Sequence, residues 1–131
     1  MALPNYEKKV NEIESIKKQL NPTNWINATL GSGISGIVRY AKIGRLVIVE
    51  IRELASTTNL TDTGAIIATG LPKSIASTLF VVSLMTATTT SDPNCRLQLS
   101  VSGNITLFYD KMYAGSSSAQ YYGQLVYISD E

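Results

Sequence analysis

Residues 31–52 read GSGISGIVRYAKIGRLVIVEIR. The first six have the spacing G-x-G-x-x-G. In a dinucleotide-binding unit that spacing leaves a strand and opens a helix, whose N-terminus then receives a pyrophosphate. Here no helix follows. Ile34, Gly36, Val38 and Tyr40 alternate with Ser35, Ile37, Arg39 and Ala41, and the β-branched run Leu46-Val47-Ile48-Val49-Glu50-Ile51-Arg52 follows Lys42-Ile43-Gly44-Arg45. An alternating stretch and a β-branched run on the two sides of a glycine-bearing turn predict a β-hairpin. GSGISG is therefore a loop entering a β domain, and Glu50 and Glu53 fall on the hairpin's second arm rather than after a βαβ unit.

The same grammar continues outward. Residues 65–68, 79–84, 96–101, 105–109 and 124–128 read as further short strands, and Ser102-Gly103-Asn104 turns a second hairpin. Seven or eight strands with regularly spaced turns predict an all-β antiparallel sandwich or jelly-roll-like head, with no helix after residue 22.

The first twenty residues have a different composition, rich in Lys, Glu, Gln and Asn, and end at Asn21-Pro22, where a helix must stop. Leu3, Val10 and Lys17 take heptad position a, and Tyr6, Ile13 and Leu20 take d, while Ile16 at g widens the stripe. This predicts a short N-terminal α-helix serving as a coiled-coil stem. The expected division is a stem over 1–22, used for oligomerisation or attachment, and a head over 23–131. The oligomerisation residues would be Leu3, Tyr6, Val10, Ile13, Ile16 and Leu20.

The chain has 131 residues, 16% of them charged, and a formal net charge of +1. That gives one domain-sized core and no basic field to hold nucleic acid or an anionic membrane. No stretch is long and apolar enough to span a bilayer, and MALPNYEKK lacks the apolar region of a signal peptide. A single cysteine, Cys95, excludes an internal disulfide framework. It reads as a small, half-buried residue. There is no histidine, so the commonest general base and zinc ligand are both missing. No metal or cofactor is expected.

Catalysis by paired carboxylates needs two of them facing one another across a substrate. Glu50 is in phase with Arg52 on an exposed strand face, and Asp62, Asp92 and Asp110 sit in turn-like contexts. The expectation is a protein that is not an enzyme. Binding chemistry is concentrated instead in the last third, where Tyr109, Tyr113, Tyr121 and Tyr122 surround a Ser-rich loop and a second polar loop covers 88–94. Tyrosine offers an apolar face and a hydroxyl, which suits sugar rings with their C–H patches and hydroxyls. The candidate saccharide-binding residues are Asp92, Asn94, Tyr113, Gln120, Tyr121 and Tyr122.

The order of these features resembles a known family. A short helix and Trp25 come first, then Y-x-K-x-G-x-x-V-x-V over residues 40–49, then Gly70-Leu71-Pro72, Gly103-Asn104-Ile105 and an aromatic last strand. Together they are similar to the head domains of bacteriophage tail-fibre and baseplate receptor-binding proteins, above all those of siphophages of Gram-positive hosts. The resemblance implies a homotrimer at the virion tail tip, assembled in the host cytoplasm. It would adhere to host cell-wall or surface polysaccharide and contact other tail or baseplate proteins through the helix. Two rival functions are a structural virion component and a glycan-degrading fibre tip.

Overall fold

A computed structural model describes residues 4–76, 79–85, 94–109, 111, 112, 114 and 120–131. Helix α1 (Pro4–Leu20) is followed by strands β1 (Ile26–Asn27), β2 (Thr29–Leu30), β3 (Ile34–Ile43), β4 (Leu46–Ser56), β5 (Ile66–Thr69), β6 (Leu79–Met85), β7 (Asn94–Leu99), β8 (Ile105–Leu107) and β9 (Tyr121–Ile128). Among the described residues α1 is the only helix. None is long and apolar enough to cross a membrane.

The predicted hairpin is the longest ladder of the fold. β3 and β4 pair antiparallel from Ile43↔Leu46 back to Ile34↔Ser56. Gly44 opens the two-residue turn with φ 60°, a conformation in which any side chain is strained. β4 runs four residues further than the alternation predicts, because it carries a bulge. Ser35 faces Ala55 but Ile37 faces Arg52, and on the other edge Ile51 faces Gly123 while Leu54 faces Tyr121. One extra residue in β4 serves both neighbours, and Glu53 sits there at φ 54°. The bulge re-phases the strand: Val47, Val49 and Ile51 are buried before it, and Leu54 and Ser56 after it.

The strands follow the order β1-β3-β4-β9-β6-β7-β8-β5-β2, with every ladder antiparallel. The ladder folds in two where β9 meets β6 through Leu84↔Tyr122 and Met85↔Tyr121. β1-β3-β4-β9 thus faces β6-β7-β8-β5-β2 as a sandwich. Between the layers lie Val38, Val47, Val49, Ile51, Leu54 and Tyr127 from the first and Ile67, Cys95, Leu97, Leu99, Ile105 and Leu107 from the second. Cys95 is fully buried rather than half-buried.

The two outermost strands, β1 and β2, are one stretch of chain separated by Ala28, whose N–H donates to the Val38 carbonyl at 2.8 Å. Ile26 pairs with Tyr40 on one edge and Leu30 with Ala68 on the other. The two edges of the ladder therefore end in a shared segment, which closes the sandwich and removes a template for edge-to-edge aggregation. The Leu71-Pro72 segment latches the far end of β9: the Tyr127 hydroxyl donates to the Pro72 carbonyl at 2.6 Å, and Ile75 N–H to the Ile128 carbonyl at 2.9 Å.

Candidate functional site

Alternation along the first layer sends one row of side chains outward. Arg39 lies opposite Glu50, and Glu50 opposite Gln124, so three strands contribute one polar row. Glu50 accepts from Arg39 at 3.2 Å and faces Arg52 Nε at 3.4 Å, while the Arg39 guanidinium lies 4.6 Å from the centroid of the Trp25 ring. The carboxylate is thus held between two cations, one of them sandwiched against an aromatic face. Arg39 Nε is buried without a hydrogen-bond partner.

Beside this row Glu50, Ile51, Tyr122, Gly123 and Gln124 line an open basin of about 500 Å³. It forms where Tyr122 stands opposite the Arg52-Glu53 bulge, the point at which the strands splay. The basin offers an aromatic ring, an amide and a carboxylate on rigid strands, which can grip a small polyhydroxylated ring by stacking and hydrogen bonding.

The structure separates the sequence candidates. Tyr122 is half-buried and lines the basin. Tyr121 does not belong to a surface: it is fully buried, facing Leu54 across the β4–β9 ladder, and is a core residue. Adjacent strand residues take opposite faces, so only one of the two tyrosines can be outside. Gln120 is half-buried just before β9. Asn94 opens β7 opposite Leu84, which in turn faces Tyr122. Asn94 therefore shares the Tyr122 rung, two strand spacings or about 10 Å away. Asp92 and Tyr113 lie outside the described residues, as do Asp110 and Leu3. In α1 the expected contact residues Val10, Ile13 and Ile16 are exposed.

Sequence reasoning missed Gln124 and the pairing of Glu50 with Arg39. The alternation placed Glu50 on an exposed face, and a hairpin register counted outward from Gly44 would have set Arg39 opposite it. Nothing local signals that β9 is the next strand over.

No known family profile matches the sequence, and no curated relative does. Solved structures do match. The receptor binding protein of Listeria phage PSA aligns over 100% of this chain and 82% of its own, with a TM-score of 0.57 at 20% identity. The head domain of the lactococcal phage bIL170, described among the receptor binding domains of lactococcal phages, aligns over 81% of this chain and 97% of its own. Its TM-score is 0.53 at 13% identity. The β-sandwich of this chain has the fold of these phage receptor-binding heads.

Proposed function

We propose that this chain is a non-catalytic adhesion protein of a phage tail tip, trimeric through its N-terminal helix, that binds saccharide on the host cell surface. The observation that carries the reading is the basin beside the polar row, on a fold shared with two phage receptor-binding proteins. Tyr122 and Gln124 supply the ring and amide that sugar recognition uses, and the strands beneath them keep the geometry fixed. Hydrolysis by a carboxyl pair fits this site poorly, because Glu50 is engaged by guanidinium groups on two sides and so is placed as a charge partner. The exposed stripe Val10, Ile13 and Ile16 on α1 supports self-association, with docking to other tail or baseplate proteins as the helix's second use.

The test is adsorption of the purified protein to a panel of Gram-positive cells and to their extracted wall polysaccharides. Saturable binding that disappears when the polysaccharide is stripped, and that weakens with Tyr122→Ala or Gln124→Ala at unchanged melting temperature, is the expected result. Binding that survives stripping would return the chain to the structural reading. Shortening of the polysaccharide on incubation would make it an enzyme.

A further inference from the structure

A second aromatic group lies on the loop after β8, and neither packing nor backbone economy explains it. Tyr109 is 76% exposed, so its ring is not there to fill the core. Its φ is 45°, in the left-handed region where a bulky side chain is strained and a glycine or asparagine would be at ease. The described residues around it are nonetheless tied down by hydrogen bonds. Tyr109 N–H donates to Thr63 Oγ1 at 3.0 Å, and its ring meets Phe108 edge-on, with centroids 4.9 Å apart and planes at 79°. On either side, Gly64 N–H donates to the Leu107 carbonyl at 2.8 Å, while Leu60 and Met112 exchange backbone bonds of 2.8 and 2.9 Å. A strained, exposed residue on a pinned loop is a common mark of a functional position.

We propose that Tyr109 is a second saccharide contact, an exposed ring on which a sugar stacks, distinct from the basin at Tyr122. The inference rests on the adhesion function proposed above. Its neighbours favour a sugar over a protein surface. Thr61, Asp62 and Thr63 on the adjoining turn are exposed and polar, whereas the centre of a protein interface is depleted of charge and rich in apolar groups. Fixing the ring beforehand reduces the ordering lost on binding. The loop also stands at the end of the sandwich from which the basin is built: Ala114, five residues on, bridges to Ser56 at the end of β4, and β9 begins opposite Leu54.

The backbone strain makes the test clean, because Tyr109→Gly removes the ring while relaxing the conformation. An array of bacterial surface glycans is probed with the full-length protein, and dissociation constants for the strongest saturable binder are measured for wild type, Tyr109→Gly, Tyr109→Phe and Tyr122→Ala. The expected result is that Tyr109→Gly weakens binding by about tenfold or more, with an equal or higher melting temperature and unchanged solution mass. Tyr109→Phe, which keeps the ring, should stay near wild type. If Tyr122→Ala weakens binding and Tyr109→Gly does not, this inference falls while the adhesion function stands. A wild-type protein that binds no glycan on the array overturns both. A Tyr109→Gly protein of lower mass makes the ring a contact between protein chains, which overturns the saccharide assignment.

Discussion

Gly36 shows what the glycines of GSGISG are for. It lies at φ 111° opposite the β4 bulge, and a Cβ there would come within 2.4 Å of the Glu53 carbonyl oxygen. That contact is with backbone and has no flexible end to yield. Gly36→Ala therefore has to push the two strands apart or move the bulge, at about 2–3 kcal/mol. Thermal unfolding should show a midpoint roughly 10 °C lower; a fall of one or two degrees would mean that the bulge migrates freely. Tyr127 gives a prediction in pH. Burial, and secondarily the nearby Tyr40, push its hydroxyl well above its ordinary 10.0. The unfolded chain releases this proton near 10.0 and the folded chain keeps it. The stability it contributes is complete below that pH and declines as pH rises beyond it. Urea unfolding at about pH 9 and about pH 11 should show this decline, and Tyr127→Phe should flatten it. The same variant should lower stability at neutral pH by about 1 kcal/mol, through the lost bond to Pro72. The spacing of the glycines was legible because the alternation after them excluded a helix. The partner Gly36 approaches was not, since Glu53 lies on the far arm of the hairpin and carries no mark of positive φ in its identity.

At the scale of one strand, β9 carries the core on one face and the proposed recognition surface on the other, and its two leading tyrosines separate the roles. Tyr121 is sealed in the core at the corner where the two layers join, whereas Tyr122 lines the basin. Tyr121→Ala should cost about 3–5 kcal/mol, the range for emptying a large buried aromatic site. Tyr122→Ala should change stability by less than about 1 kcal/mol and act on adhesion instead. Chemical denaturation beside a cell-binding assay distinguishes the two, and equal destabilisation would place both rings in the core. The sequence left this split unread for a physical reason. YYGQLVYI begins with two identical residues and places glycine third, so period two has no contrast at the point where phase must be set. The β3–β4 hairpin was readable because an alternating arm and a β-branched arm flank one glycine turn. The β4 bulge was invisible because it inserts a glutamate, a residue that no turn rule singles out. The basin followed it into invisibility, since it exists only where that bulge faces β9.

For the molecule as a whole, the closed sandwich and the open helix present a contrast. Both edges of the ladder end in residues 26–30, and the helix connection is anchored by Thr23, whose hydroxyl accepts from Lys42 N–H at 2.9 Å and whose N–H donates to the Lys42 carbonyl at 2.8 Å. A chain beginning at Asn21 retains both bonds and should fold into a complete head. Among the described side chains the helix shows no such support: each one from residue 7 to residue 16 is exposed, including Ile13 and Ile16 at 52% and 54%. A helix of 17 residues whose described side chains are all exposed is marginal in water. Its helicity should then depend on association, with three copies covering the Val10, Ile13 and Ile16 stripe. This makes the proposed trimer testable by dilution. Light scattering on the full chain should give three times 14.2 kDa at high concentration. As that mass falls on dilution, the helical circular-dichroism signal should fall with it while the β signal stays constant. Ile13→Asp should bring both changes to higher concentration without lowering the melting temperature of the head. A monomer that kept its helix at every concentration would show that the helix is stable by itself, and would leave its apolar stripe to a different protein.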